Sequence, residues 1–460
     1  MKRISILFLV IFAVIFSSGA QSKLQPDSLA FLKWAPTPAM GWNSWDCFGP
    51  TVTESEVKAN ADYMAKYLKK SGWEYIVVDI RWYVENDKAH GYNEKDAIYV
   101  MDEYGPLQPS PLKFPSSANG KGFKALAEYI HGKGLKFGIH VMRGIPMEAV
   151  KKNTPILGSK AKAQDIYSTE LQCPWLKDMY TIVAGKDGAQ VYYNSLFNLY
   201  ASWGLDFIKI DDLSIPYHQG EIEMIRKAID LTGRKIVLST SPGETPIENA
   251  GHVQNHANMW RIVGDFWDNW KQLKEHFEVC DRWSPYIGDG HFPDADMLPL
   301  GRIGIRAERG DNRMCALSKD EQVTMMSLFS IFRSPLMFGG NLPDNDEFTL
   351  SLLTNKEVLY INQYSQNNRQ LFRTDDLIGW VADDPKTGDK FLAVFNAQDA
   401  VNATENDSIK IPVNLEQIGI TGNCTIKDVW SNNSLGSFSK EFAPFIKHHT
   451  SGLYRISVKK

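Results

Sequence analysis

Hydrophobic and polar positions change rhythm along the chain and divide it into two parts. From about residue 36 to residue 365, short apolar runs alternate with longer amphipathic stretches, as is typical of parallel strands joined by helices. We predict strands at residues 39–45, 75–82, 136–143, 207–213, 235–241, 259–265, 296–301 and 335–340. We predict helices at residues 54–70, 122–131, 221–231, 266–279, 319–332 and 347–361. These strand–helix units predict an α/β fold, a (β/α)8 TIM barrel over residues 36–365.

A doubly wound open sheet is the alternative to the barrel. Such a sheet usually carries a glycine-rich phosphate-binding turn after its first strand. The first predicted strand ends instead in Trp45-Asp46-Cys47, which favours the barrel.

The C-terminal part, residues 370–460, has a different pattern. Segments at 379–383, 390–396, 424–430 and 454–458 are rich in β-forming residues, and clusters of turn-forming residues separate them. Short alternating strands with turns between them predict a small antiparallel β-sandwich domain.

The first 20 residues have the pattern of a secretory signal peptide. Lys2 and Arg3 precede an apolar run over residues 6–16, and small residues follow at 17–20. The run is shorter than the roughly 20 residues that span a bilayer. We therefore predict that residues 1–20 are removed on export to a periplasm or the medium, and that the mature chain does not insert into a membrane.

Composition excludes several classes of protein. The chain has 460 residues, is 43% hydrophobic and has a formal net charge of −4, so it is not intrinsically disordered. It has no long basic run, which argues against a nucleic-acid partner. The spacing of its 5 cysteines fits no zinc pattern, and no His-Glu-Xaa-Xaa-His motif exists. We predict no metal and no other cofactor. A metal-dependent barrel hydrolase is an alternative, which the lack of a His-Xaa-His pair at the end of the first strand disfavours.

Carboxylates follow several of the predicted strands. In a barrel, residues at the carboxyl ends of the strands converge on one mouth, where catalytic groups lie. Such a set suits acid–base or nucleophilic chemistry on a neutral polyol, although an aspartate after a strand also commonly caps the next helix. The aspartates are Asp79, Asp211, Asp212, Asp265 and Asp296, with Trp45, His140, Lys209 and Arg261 at the same level.

Two of these carboxylates have neighbours that predict opposite protonation states. Lys209 and Asp211 alternate in one strand and therefore share a face, so the lysine favours an ionised aspartate. Asp265 precedes Phe266 and Trp267, and an apolar wall there would raise its pKa and make it a proton donor. Glycoside hydrolysis uses one ionised and one protonated carboxyl group. A structural ion pair remains the alternative for Lys209 and Asp211.

At these residues the chain resembles glycoside hydrolase family 27, the family of α-galactosidases and α-N-acetylgalactosaminidases. The resemblance extends from about residue 36 to the end and implies a barrel followed by an antiparallel β-domain. It also implies a retaining exo-glycosidase that acts on an oligo- or polysaccharide, with Asp211 as nucleophile and Asp265 as acid/base. Further positions match sugar contacts: Trp45, Asp79, Lys209, Arg261 and Asp296. The motifs are Met40-Gly-Trp-Asn-Ser-Trp45, Val77-Val-Asp79, Lys209-Ile-Asp211, Arg261-Ile-Val-Gly-Asp265 and Asp294-Ala-Asp-Met297.

Two departures from the family pattern bear on the sugar. Ile80 stands where family α-galactosidases carry a second aspartate that binds galactose hydroxyls, notably on carbon 6, which favours β-L-arabinopyranose. Ser241 stands where they tend to carry glutamate, which resembles the N-acetylgalactosaminidase branch. A non-catalytic carbohydrate-binding protein is the alternative of another class, and the intact pair of Asp211 and Asp265 disfavours it.

Overall fold

The core of the N-terminal part is a parallel sheet that curls on itself. In the computed structural model, which describes residues 29–399 and 407–458, this sheet has eight strands in the order β7-β6-β5-β4-β3-β2-β1-β8. A parallel bridge between Leu298 and Phe338 joins its two edges, with the Leu298 N–H donating to the Met337 carbonyl at 2.7 Å. The predicted (β/α)8 fold is confirmed. The strands are β1 Met40–Asn43, β2 Tyr75–Val78, β3 Lys136–Met142, β4 Phe207–Asp211, β5 Val237–Thr240, β6 Met259–Arg261, β7 Phe292–Asp294 and β8 Leu336–Phe338.

Helices surround the sheet and follow from local sequence signals. The Thr53 N–H donates to the Glu56 carboxylate at 2.9 Å and completes a capping box at the start of the first long helix. Asn355 caps a new helix that begins at Lys356, so the single helix predicted at 347–361 is two helices. Among the described residues, the helices of eight residues or more are α1 Glu54–Tyr63, α2 Lys124–Gly132, α3 Ala189–Trp203, α4 Gln219–Leu231, α5 Trp270–Trp283, α6 Lys319–Phe332, α7 Glu347–Thr354 and α8 Lys356–Tyr364.

The structure corrects two sequence predictions in the barrel. The seventh strand is Phe292–Asp294 and not residues 296–301, because Pro293 interrupts the apolar pattern while the segment still pairs in parallel with β6. Helix α3 is not among the predicted helices; it contains no charged residue, although its buried positions recur at helical spacing. The corrected strand ends two residues before Asp296 and so keeps that residue at the mouth of the barrel.

Alternate residues of the strands face the barrel interior and the surrounding helices. Val77, Phe207 and Met259 belong to one buried cluster inside the barrel, whereas Ile76 and Ile208 pack in the larger cluster beneath the helices. Positions two residues further along the inward face of each strand therefore also point inward. This alternation brings the polar residues at the carboxyl ends of the strands together at the mouth of the barrel.

The C-terminal part is an antiparallel β-structure packed against the barrel. Its main sheet has the order β9-β10-β11-β14-β12-β13. One face contributes Trp380 and Phe395 to the barrel cluster, and the other packs Leu392 and Ile456 beneath the small strand pairs. The strands are β9 Gln366–Thr374, β10 Leu377–Asp383, β11 Lys390–Asn396, β12 Cys424–Asp428, β13 Ser434–Phe438 and β14 Ser451–Val458, with the pairs Ser408–Lys410 with Phe445–Lys447 and Val413–Asn414 with Glu441–Phe442. The predicted antiparallel domain is confirmed.

The predicted signal peptide, residues 1–20, lies outside the described residues. Within residues 29–399 and 407–458, no helix is long and apolar enough to cross a bilayer. Each of the five cysteines is a free thiol.

Candidate active site

The predicted site residues come together at the carboxyl ends of the barrel strands. A cavity of about 710 Å³ opens there. Its walls include eight of the predicted site residues: Trp45, Asp79, Ile80, Lys209, Asp211, Arg261, Asp265 and Asp296. Ser241 follows β5 and is fully buried. Its hydroxyl donates a hydrogen bond to Asp211, which does line the cavity. Asp212, the other predicted carboxylate, pairs instead with Arg143 at 2.8 Å.

Asp211 ends β4 on the inward face and is enclosed by donors. Lys209 Nζ lies 3.3 Å from its Oδ1, His140 Nε2 lies 2.9 Å from its Oδ2, and the Ser241 hydroxyl donates to Oδ1 in a short hydrogen bond. Burial alone would raise the pKa of Asp211, but the Lys209 charge, then His140 and Ser241, outweigh burial and hold that pKa well below its usual value. The carboxyl group is therefore ionised, as the sequence predicts.

Asp79 follows β2 and shares a cation with Asp211. Its Oδ2 accepts from the Asn43 amide at 2.7 Å and lies 3.3 Å from Lys209 Nζ. Burial lowers the pKa of Lys209, but Asp211 and then Asp79 more than compensate and raise it. Lys209 is therefore a cation fixed between two carboxylates, whose remaining lone pairs can accept hydrogen bonds from the hydroxyls of a polyol.

The other side of the cavity is organised by Arg261. One guanidinium nitrogen lies 2.6 Å from Asp296 Oδ1, and the other donates to Asp265 Oδ1 at 3.0 Å. The Asp265 side chain is 41% exposed. It is therefore not enclosed in the apolar wall that the sequence predicts, since Phe266 and Trp267 are themselves buried and Asp265 turns towards Arg261 and the open cavity.

Asp296 lies in a crowded group of carboxylates. Its Oδ2 accepts the Phe266 N–H at 2.7 Å, and its backbone has φ +80°, a left-handed conformation that aims the side chain back at Arg261. Burial raises the pKa of Asp296 to about 7 against the opposing charge of Arg261, with Asp265 and Asp294 adding to the rise. A buried carboxyl that titrates near neutral pH is characteristic of a functional site.

Several residues of the site carry no signal in the sequence. Tyr92 stacks on Trp45 with ring centroids 5.9 Å apart. Trp175, which lies between β3 and β4 in the sequence, also lines the cavity. Both lie in irregular loops, where no periodic pattern exists to be read. His140 lies on a predicted strand and Asp46 directly follows one, but only the structure shows that His140 contacts Asp211 and that Asp46 lines the cavity.

Comparison with known families places this site in a class of enzymes. The family described as alpha galactosidase A matches residues 37–149 and 147–364, and the alpha galactosidase C-terminal beta sandwich domain matches residues 374–456. The chain therefore belongs to the α-galactosidase family, glycoside hydrolase family 27, and is a glycoside hydrolase that acts on glycans. The resemblance stated above is confirmed, and the non-catalytic alternative is not supported.

Individual relatives narrow the comparison. A β-L-arabinopyranosidase of this family from Geobacillus stearothermophilus is 50% identical, with a TM-score of 0.90 over 94% of this chain and 98% of that one, and its aspartate-to-alanine variant is solved in complex with arabinose. A Bacillus halodurans protein provisionally described as an α-N-acetylgalactosaminidase is 48% identical, with a TM-score of 0.83 over 92% of this chain and 98% of that one. Alpha-galactosidase 2 of Arabidopsis thaliana is 26% identical over 96% of this chain and 94% of its own length.

Proposed function

We propose that the protein is a retaining exo-glycosidase that releases terminal β-L-arabinopyranose and, more slowly, α-D-galactose. The observation that carries this preference is Ile80, which is 2% exposed and lines the cavity beside Asp79. β-L-arabinopyranose has the ring stereochemistry of α-D-galactopyranose but no carbon 6. The high identity to a β-L-arabinopyranosidase supports the same preference.

The free energy of one hydrogen bond is enough to produce such a preference. The apolar Ile80 side chain offers a hydroxyl on carbon 6 no acceptor, and a buried polar group left unpaired costs about 1–3 kcal/mol. That penalty corresponds to roughly a tenfold to hundredfold loss in kcat/KM for the galactoside. The pentose carries no such hydroxyl and avoids the penalty.

Asp211 is the proposed nucleophile. Its ionised carboxylate attacks the anomeric carbon, and the bond to the leaving-group oxygen breaks as the covalent glycosyl-enzyme forms. The contacts with Lys209, His140 and Ser241 support this role because they fix both the charge and the position of the attacking oxygen.

Asp265 is the proposed acid and base. It protonates the departing oxygen in the first step, then removes a proton from the water that attacks the anomeric carbon and releases Asp211. Its exposure and its single cationic partner, Arg261, support this role because both the leaving group and the incoming water must reach it from solvent.

The remaining polar groups of the cavity are proposed sugar contacts. Asp79 accepts hydrogen bonds from ring hydroxyls, and Lys209 donates hydrogen bonds to them. Asp296 orients Arg261 towards the same sugar. Trp45, held by its stacking on Tyr92, presents a ring to the apolar face of the sugar.

An α-N-acetylgalactosaminidase is the second candidate. The small residues Ser241 and Gly243 at the end of β5 and the Bacillus halodurans relative favour it. Ser241, however, is fully buried and bonded to Asp211, so its small side chain leaves less room for an acetamide group than its sequence position indicates.

The substrate panel that tests the proposal uses three nitrophenyl glycosides, namely β-L-arabinopyranoside, α-D-galactopyranoside and α-N-acetylgalactosaminide. We expect the highest kcat/KM on the arabinopyranoside, and NMR of the first product should show the β-anomer of arabinose. A preference for the galactoside would refute the assignment to Ile80. An α-anomer as first product would refute retention.

Ile80→Asp is the matched variant for the sugar preference. An aspartate at this position supplies the missing acceptor, so we expect kcat/KM on the galactoside to rise roughly tenfold or more relative to that on the arabinopyranoside. Ile80→Leu keeps the apolar surface and serves as the control. An unchanged ratio in Ile80→Asp would show that another residue sets the preference.

A further inference from the structure

Asp46 is a buried carboxyl group in the wall of the cavity that the mechanism above does not use. It follows Trp45 in a short helical turn after β1, is 2% exposed and lines the same cavity as Asp211 and Asp265. Its Oδ2 has no hydrogen-bond partner among the residues that the structure describes.

The neighbouring carboxylates differ from Asp46 in this respect. Asp79 Oδ2 accepts from Asn43, and Asp296 Oδ2 accepts from the backbone N–H of Phe266. Buried polar groups are almost always paired, so an unpaired carboxyl group at a cavity wall calls for a partner that enters the cavity. Asp46 therefore lacks the partners that its neighbouring carboxylates have; its Oδ2 is packed against Gly339, which leaves Oδ1 as the oxygen that can meet a substrate in the cavity.

A glycine at position 339 leaves space for the Asp46 carboxyl group. Gly339 follows β8, and a Cβ atom built on it would lie 1.9 Å from Asp46 Oδ2. Any other residue at position 339 would displace the carboxyl group. The fold therefore accommodates an aspartate here although nothing in the described protein bonds its Oδ2.

The surroundings determine what this group can offer a ligand. Burial first, and then the charges of Asp296, Asp265 and Asp79, raise the pKa of Asp46 well above its usual value against the opposing charge of Lys209. A carboxyl group that keeps its proton is a hydrogen-bond donor as well as an acceptor. The other carboxylates near it favour a ligand that brings hydroxyl oxygens over one that brings a further negative charge.

We propose that Asp46 is a substrate-binding residue that donates a hydrogen bond to a hydroxyl oxygen of the sugar held beside Asp211. The inference rests on the proposed function, because it places a neutral monosaccharide in this cavity. It adds an uncharged donor to a wall whose charged donors include Lys209 and Arg261.

Two substitutions of similar size separate a donor from the alternatives. Asp46→Asn keeps an N–H donor in the same place, and Asp46→Leu removes all hydrogen bonding. The dissociation constants of L-arabinose, D-galactose and N-acetylgalactosamine are measured by calorimetry, together with kcat, KM and Tm. Asp46→Ala makes the same comparison if the leucine variant does not fold.

We expect Asp46→Leu to weaken binding of the preferred monosaccharide at least tenfold and to raise KM more than it lowers kcat. The Tm of this variant should equal or exceed that of the wild type, because an unpaired buried polar group has been removed. Asp46→Asn should weaken binding less than threefold. A merely structural role predicts a lower Tm without a selective rise in KM.

Two results would overturn the inference. Binding by Asp46→Leu within threefold of the wild type would show that Asp46 does not touch the sugar. An equal loss in Asp46→Asn and Asp46→Leu would show that the charge of Asp46, and not a donated hydrogen bond, matters. Failure of the wild type to bind or cleave any of the three sugars would instead refute the proposed function, and the inference with it.

Discussion

The two sides of the cavity hold the carboxyl groups of Asp211 and Asp265 in opposite surroundings. The Asp211 side chain is 8% exposed and contacts Lys209, His140 and Ser241. The Asp265 side chain is 41% exposed, and among the described residues its carboxylate bonds only Arg261. A group that attacks carbon needs a fixed charge, which preorganised donors provide. A group that gives up one proton and takes another from water needs access to solvent. The contrast in burial therefore matches the two roles proposed.

Asp211→Ala should produce the largest effect. Without a nucleophile no glycosyl-enzyme forms, and we expect kcat to fall on the order of 10⁴-fold for every leaving group. Steady-state rates on the three aryl glycosides measure the loss. Asp206→Asn, at the opposite end of β4 and outside the cavity, is the matched control and should stay within threefold of the wild type. Substantial turnover by Asp211→Ala would show that Asp211 is not the nucleophile.

Asp265→Ala should produce a smaller loss that depends on the leaving group. Removal of a general acid–base group lowers rates by about 10²–10⁴-fold. We expect nitrophenolate, which leaves without protonation, to be affected least and a sugar leaving group most. Added azide should restore turnover of the aryl substrate by replacing the activated water. An equal loss for both leaving groups, with no rescue by azide, would contradict the role of Asp265.

The Asp211 side of the cavity could be predicted from sequence more fully than the Asp265 side. Strand alternation alone places Lys209 and Asp211 on one inward face, and the structure confirms the contact between them. Asp265 lies beyond the end of β6, where no period fixes the direction of its side chain. The apolar neighbours that suggested a dry wall are buried in other directions, and Arg261, four residues earlier, reaches the carboxylate.

The remaining failures have similar physical causes. Pro293 disfavours a strand locally, so the sequence pattern does not predict β7. The strand forms because its pairing with β6 outweighs that local preference. Tyr92 and Trp175 reach the cavity from loops whose course depends on tertiary contacts and not on periodicity. Family resemblance implies the roles proposed for the aspartates, but it cannot show which donors surround each one.

Ser241→Ala tests how much of the difference between the two sides comes from one hydroxyl. A hydrogen bond to a charged group contributes about 1.5–3 kcal/mol, so we expect kcat to fall roughly tenfold to a hundredfold. Loss of this donor should also raise the pKa of Asp211, because the Ser241 bond is one of the contacts that lower it. Activity needs the ionised form, so the acidic limb of the pH–kcat profile should move to higher pH. An unmoved limb would assign the low pKa to Lys209 and His140 alone.

Asp296→Asn should produce the smallest effect, and it concerns stability on the Arg261 side. Burial and the nearby carboxylates raise the pKa of Asp296 to about 7, above its unfolded value of 3.8. Between these values the folded protein binds a proton that the unfolded chain has lost, so this group makes the free energy of unfolding decrease as pH rises through the interval. Urea denaturation at several pH values between 4 and 7 should show a shallower decrease in Asp296→Asn than in the wild type. Asp212, with a pKa raised to about 6 by burial, contributes a decrease of the same sign, and it remains in the variant. Identical slopes in the two proteins would mean that the Arg261 pair holds Asp296 ionised throughout, and the two sides of the cavity would then differ in exposure but not in charge.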